Sequence, residues 1–165
     1  AGTSSGGDLR RLISSAQSLP ADDQLIMQRY LDVSRCGSRI VSGSWDKTVR
    51  IWEAKTGVPL FTLEGHSDNV RSVCFSPNGA HIVSGAYDKT ALMTKLAVRV
   101  WDAKTGKLVS TMEGHSDNVP AVCFSPNGLL ILSGSSDKTI RVWDHAKHLN
   151  RQEVKTRAVY SSHNN

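Results

Sequence analysis

A chain of 165 residues with 39% hydrophobic and 21% charged residues has the length and composition of one ordinary soluble globular domain. No apolar run approaches the ~20 residues that a bilayer-spanning helix needs, and no basic-then-apolar start ends in a cleavage site, so neither a membrane partner nor secretion is expected. The net charge of +5 and a pI near 9.3 permit nucleic-acid binding, but the basic residues are spread along the chain and a solvated surface is the expectation.

Residues 1–7 are rich in Gly and Ser and read as a disordered tail. Residues 8–19 place Leu9, Leu12 and Ile13 at helical spacing. After Pro20, Asp22 and Asp23 occupy a first turn ahead of Leu25, Ile26 and Tyr30, as suits a helix N-terminus. Two short helices are expected, so residues 1–33 form a tail and a small helical segment. The start at Ala1, without a methionine, reads as a fragment or a processed product.

The next stretch organises the chain. Residues 63–90 (LEGHSDNVRSVCFSPNGAHIVSGAYDKT) are written again at 112–139 (MEGHSDNVPAVCFSPNGLLILSGSSDKT), with 20 of 28 positions identical. Ser42-Gly43, Ser84-Gly85 and Ser133-Gly134 step by 42 and then 49 residues, whereas Trp52, Trp101 and Trp143 step by 49 and then 42. A 42-residue unit with 7 extra residues at 91–97 (ALMTKLA) satisfies both series. The insert is mostly apolar (Leu92, Met93, Leu96) with one charge, Lys95.

Within a unit, four strands are expected. Residues 70–75 alternate around a β-rich core, and Ser76-Pro77-Asn78-Gly79 has Pro and Gly where a turn needs them. Residues 82–84, 98–101 and 108–112 supply the other three, separated by turns at Asp88-Lys89 and Lys104-Thr105-Gly106. The first copy starts abruptly at Ser34-Arg35-Cys36-Gly37, and residues 31–33 are a weak match to residues 122–124, so its inner strand is expected to be missing or replaced. After His145 the repeat text fades. Residues 153–160 (EVKTRAVY) are the candidate fourth strand of the last copy, and residues 161–165 read as a frayed tail.

Gly65-His66 leading to Trp101-Asp102, and Gly114-His115 leading to Trp143-Asp144, resemble the WD-repeat (beta-transducin-like) family. The resemblance covers residues 36–144, about two thirds of the chain. It implies an all-β partial β-propeller: a truncated blade at 34–64, a full blade with the insert at 65–113, and a full blade at 114–160. The family's blades carry a buried polar chain, which carries over to His66, Ser84, Asp88 and Trp101 and to His115, Ser133, Asp137 and Trp143. The first blade keeps Ser42, Asp46 and Trp52 without a histidine. The family also commonly binds peptides and proteins on one loop face, which here would carry Trp45, Tyr87, Ser136, Asp68, Asn69, Asp117 and Asn118. The near-identical copies look like the multi-repeat WD arrays of fungi.

Catalysis is not expected. Ser44-x-x-Lys47, Ser67-Asp68-Asn69 and Lys104-Thr105-Gly106 match, in order, three elements of the β-lactamase pattern. Each recurs, however, at Ser135-x-x-Lys138, Ser116-Asp117-Asn118 and Lys55-Thr56-Gly57, and a nucleophile of that class opens a helix rather than a turn. His66 and His115 lack a second ligand at metal spacing, so no metal and no cofactor is expected. Cys74 and Cys123, in equivalent Val-Cys-Phe runs, read as small buried hydrophobes in a reducing compartment, the cytoplasm or the nucleus.

The residues therefore point to a non-catalytic scaffold or recognition module for proteins, a piece of a longer WD array whose open blades meet other blades in the same chain or by association. The alternative is nucleic-acid association through Lys147, Arg151, Lys155 and Arg157, where basic residues thicken beside His145 and His148.

Overall fold

The computed structural model describes residues 31–88, 96–149 and 157–161. The expected N-terminal helices, the turn after Asp88, most of the insert and the last four residues lie outside them. Among the described residues, twelve strands form three four-stranded antiparallel sheets in chain order. The first sheet holds β1 (Leu31–Val33), β2 (Arg39–Gly43), β3 (Val49–Glu53) and β4 (Pro59–Leu63). The second holds β5 (Val70–Phe75), β6 (His81–Ala86), β7 (Leu96–Asp102) and β8 (Leu108–His115). The third holds β9 (Ala121–Phe124), β10 (Leu130–Gly134), β11 (Thr139–Asp144) and β12 (Arg157–Ser161). A five-residue helix, α1 (His145–Leu149), follows β11.

Each sheet is a propeller blade, and the chain is a partial propeller of three. One expectation is corrected here. The first blade's inner strand is neither missing nor replaced: Leu31, Asp32 and Val33 pair with Ser42, Val41 and Ile40. Asp32, in the place of Cys74 and Cys123, hid the match. Its carboxylate accepts a hydrogen bond from the Phe75 amide at 2.6 Å, tying β1 to the second blade. The insert also ends in strand, since β7 starts at Leu96 and pairs it with His115.

The turns explain the repeated text. In Ser76-Pro77-Asn78-Gly79 the Gly79 amide bonds the Ser76 carbonyl at 2.7 Å, and the Ser76 hydroxyl bonds Asn78 Oδ1 at 2.7 Å. In the Trp-Asp pair the aspartate holds a turn: Asp102 Oδ1 accepts from the Lys104 and Thr105 amides at 3.0 and 2.7 Å.

Strand alternation gives every blade two apolar faces. Val41, Val49, Ile51 and Leu63 of the first blade pack with Val70, Val73, Phe75, Ile82 and Trp101 of the second. Val83, Val98, Val100 and Met112 of the second pack in the same way with Val122, Phe124, Ile131 and Trp143 of the third. The core is thus two seams between blades. The Ser-Gly pairs let the blades close up: a Cβ on Gly43 would lie 2.7 Å from Val70 Cγ1, and one on Gly85 would lie 2.7 Å from the Val119 carbonyl oxygen. Backbone bonds cross both seams, from the Val70 amide to the Ser44 carbonyl and from the Val119 amide to the Ala86 carbonyl, each at 3.0 Å.

Cysteine burial also needs correction. Cys74 is half-buried and packs on the second seam, but Cys123 and Cys36 are exposed. Cys123 lies on the side of the third blade that no described residue covers, so the burial its sequence position suggests does not occur among the described residues.

Candidate functional site: a buried polar chain and an aromatic rim

Two polar chains thread the second and third blades. His66, just after the β4–β5 connection turns inward, sits between Asp88 and Ser84: Nδ1 lies 2.6 Å from Asp88 Oδ2 and Nε2 lies 2.7 Å from Ser84 Oγ. Trp101 Nε1 donates to the same Ser84 oxygen at 2.8 Å. His115 repeats this with Asp137 and Ser133, both at 2.8 Å, and Trp143 Nε1 donates to Ser133 at 2.8 Å. Gly65 precedes the histidine because its φ of +146° suits glycine, and a Cβ there would lie 2.9 Å from Arg99 Nη1.

Hydrogen-bond accounting fixes the tautomer. Carboxylates only accept and indole N–H only donates. A neutral imidazole with its proton on Nδ1 donates to the aspartate and accepts the serine hydroxyl proton at Nε2. The serine oxygen then accepts from tryptophan, and every group is satisfied. Burial pushes the His115 imidazole below its usual pKa against the opposing pull of Asp137. Burial alone would raise Asp88. The His66 hydrogen bond, the Ser67 amide and Arg99 outweigh it, and the carboxyl is held below the usual range. Asp137 is likewise lowered against burial, by the Thr139 hydroxyl, His115 and the Ser116 amide.

Serine, histidine and aspartate in this order have the connectivity of a hydrolytic triad. Access decides the matter. Ser84 is 0% exposed and Ser133 1%, and an indole N–H occupies each serine oxygen. A substrate carbonyl has no approach to either oxygen. The arrangement recurs unchanged in the second and third blades, as an architectural device would.

The first blade differs. Trp52 Nε1 donates to Ser42 Oγ at 2.9 Å. Asp46 stands apart from that pair, accepting from the Thr48 amide at 2.9 Å and from Arg50 Nη2 at 2.7 Å.

The loop residues divide into two groups. Asp68 Oδ1 and Asp117 Oδ1 accept from the Asn69 and Asn118 amides at 2.7 Å, shaping the loops that enter β5 and β9. The Asn69 and Asn118 carbonyls accept from the Tyr87 and Ser136 amides at 3.0 and 2.9 Å. With its nitrogen oriented to donate, the Asn69 side chain reaches the Trp45 carbonyl at 2.9 Å. These four residues are half-buried and build the rim.

Trp45 carries the open surface of that rim, with half-buried Tyr87 beside it and Ser136 exposed on the next blade. Trp45 is 51% exposed, although Val70, beside it across the seam, is fully buried. The guanidinium of Arg71, on β5, lies 5.1 Å from the Trp45 ring centroid and 4.4 Å from that of Tyr87. Sequence reasoning missed Arg71. The signal was present as difference: Arg71 and Tyr87 stand where the next copy has Pro120 and Ser136.

Of the basic C-terminal group, Lys147 is exposed and pairs with Asp144 at 3.3 Å, and Arg157 lies on β12. Arg151 and Lys155 lie outside the described residues. Among the described residues no cluster of three or more metal-ligating side chains forms, and no helix is long and apolar enough to cross a membrane.

Blades of four strands, seams packed on Ser-Gly pairs and a His-Ser-Asp-Trp chain in the second and third blades define a β-propeller repeat protein. The family model described as WD domain, G-beta repeat matches residues 13–53, 57–93 and 106–144, most of the chain, and the chain belongs to that family. It is 42% identical over 67 residues to the nuclear distribution protein nudF 2 of Aspergillus clavatus, a stretch covering 39% of this chain and 15% of that protein. It is 39% identical over 67 residues to lissencephaly-1 homolog 1 of Paramecium tetraurelia, covering 41% and 17%. Against ribosome assembly protein 4 of Chaetomium thermophilum the identity is 40% over 68 residues, covering 41% and 13%. The matched stretch spans less than a fifth of each of these relatives.

Proposed function

We propose that this chain is a protein-interaction module that takes peptide segments of partner proteins on the rim formed by Trp45, Arg71 and Tyr87. The observation that carries the reading is the Arg71 guanidinium set over two aromatic rings from neighbouring blades, with Trp45 half open to solvent. Trp, Tyr and Arg are the residues enriched at binding hot spots. A cation held over aromatic faces offers a partner both charge and flat apolar area, and suits a segment carrying a carboxylate beside an apolar side chain. The role is recognition, since the buried serines offer no surface for chemistry. The membership in a repeat family whose relatives include nuclear distribution proteins supports a scaffold role.

Peptides selected on the wild-type chain from a random display library test this. Measured by fluorescence anisotropy, they are expected to lose at least about tenfold in affinity on Trp45→Ala, Tyr87→Ala, roughly the 1.4 kcal/mol of one modest hot spot. Equal binding by the double variant would remove the rim from consideration.

A further inference from the structure

The contact between blades at the His81 end of the sheets differs from one seam to the next. We propose that at the second seam it is a pH-sensitive latch: His81 and His145 hold the second and third blades together while both rings are neutral, and let them part when the pair takes up protons.

The repeat aligns the two seams residue by residue. Arg39, His81 and Leu130 hold one position, since the amide of each bonds the hydroxyl of the serine that opens its turn, Ser34, Ser76 or Ser125. Ala103 and His145 hold another, since their amides bond the Ala80 and Leu129 carbonyls, each at 2.9 Å. At the first seam Arg39 Nη1 donates to the Ala103 carbonyl at 2.6 Å, a fixed cation on a carbonyl acceptor. At the second seam the same two positions carry imidazoles, packed edge to face with ring centroids 4.9 Å apart. A permanent bond between blades is thus replaced by a pair whose charge depends on pH.

The pair is built for the neutral state. His145 is buried, and its Nδ1 lies 3.0 Å from the Gly128 carbonyl, which can only accept, so the ring's proton sits on Nδ1 and Nε2 keeps its lone pair. Among the described residues neither that Nε2 nor the buried Nδ1 of His81 has a hydrogen-bond partner. A proton added to His145 at Nε2 would bring a buried N–H and a charge with no acceptor in reach. Asp102 stands opposite His81 on β7. Burial and His145 nonetheless hold His81 below its usual pKa, against the pull of that carboxylate. Asp144, just before His145, is paired with Lys147 at 3.3 Å, and Lys104 and Lys107 lie in the turn after Asp102. Arg71, Arg99, Glu113, His115 and Arg141, on β5, β7, β8 and β11, sit away from that end of the sheets. Cys74 on β5 stays an uncharged thiol, and Cys123 on β9 is exposed. Two imidazolium rings this close repel, so a second proton enters only as the rings separate.

Amide hydrogen exchange by NMR tests this, because an amide crosses each seam: Val70 to the Ser44 carbonyl and Val119 to the Ala86 carbonyl. After correction for the intrinsic pH dependence of exchange, Val119 protection in the wild-type chain is expected to fall about tenfold more than Val70 protection between about pH 7.5 and 5.5. His145→Ala installs the residue that the other blades carry at Ala54 and Ala103. His81→Leu installs the residue of the third blade at Leu130, and the double variant His81→Arg, His145→Ala rebuilds the pairing of the first seam. Each is expected to shrink the excess to about threefold or less, the remainder belonging to His115. Far-UV circular dichroism at neutral pH identifies the folded variants, and the residues come from the protein's own repeat, so the fold is expected to accept them. An equal fall at Val70 and Val119 in the wild type overturns the proposal. An undiminished excess in the folded variants overturns it equally, since the acid sensitivity of the seam would then lie outside the pair.

Discussion

Gly85 approaches the Val119 backbone so closely that a Cβ on the glycine would lie 2.7 Å from the valine carbonyl oxygen and 2.9 Å from Val122 Cγ1. The obstacle is backbone, which cannot swing aside as a long side chain does, so a methyl group at this point wedges the second seam open. Gly85→Ala is expected to cost about 1–3 kcal/mol in urea denaturation, the usual range for overpacking. Unchanged stability would mean that the blades sit farther apart than this contact requires.

The serines of the polar chains make unequal demands. Ser84→Ala leaves both the Trp101 indole N–H and the His66 Nε2 without a partner, and is expected to lose about 1–3 kcal/mol. Ser42→Ala strips only the Trp52 bond and is expected to lose less, about 1 kcal/mol. Denaturation midpoints of the two variants compare them directly, and equal losses would contradict the role assigned to the histidine.

Acid is expected to weaken the fold in two stages. His115 is held below its usual 6.5 by burial, and His81 is lowered by burial and by His145. For both, the unfolded chain takes up the proton first, so stability is full above about 6.5 and declines as pH falls beneath it. Asp88 and Asp137 are held below the usual 3.8, so their contributions are present above that value and are lost as pH falls through the lower folded-state range. The urea midpoint is expected to be level near pH 7–8, to drop below about 6.5 and to drop again below about 4. A midpoint that rises on acidification would contradict the neutral-imidazole arrangement.

The cysteines are expected to react in a fixed order. Cys36 is exposed, with its thiol lowered to about 7 by hydrogen bonds from Ser38 and Ser34. Burial pushes the Cys74 thiol up to about 11. Alkylation at neutral pH, followed by mass spectrometry of the digest, is expected to label Cys36 faster than Cys74 by roughly 100-fold or more. Comparable rates would contradict the burial of Cys74 against the third blade.

The period and the four strands of the full units were legible in the sequence because each is written as repeated text with fixed offsets, whereas the partners of His66 and His115 came with the resemblance to the WD-repeat family. β1 was harder to read: three residues with an aspartate in place of a cysteine look unlike Val-Cys-Phe, and the bond from the Phe75 amide that rewards Asp32 is made across a seam. Arg71 escaped because a search for sameness passes over the position where the copies differ. Cys123 was misjudged for a different reason: burial belongs to a position and its neighbour together, and no described residue packs over Cys123 as the third blade packs over Cys74.

The central claim is that the repeated polar residues hold the blades while the rim meets other molecules. Thermal unfolding and binding of a display-selected peptide, measured in parallel on Ser84→Ala and on Trp45→Ala, Tyr87→Ala, test it most directly. Ser84→Ala is expected to unfold at lower temperature yet bind normally while folded, and the double variant to keep its melting temperature and lose the peptide. The reverse pattern, with binding lost at Ser84 and stability lost at the rim, would contradict the account.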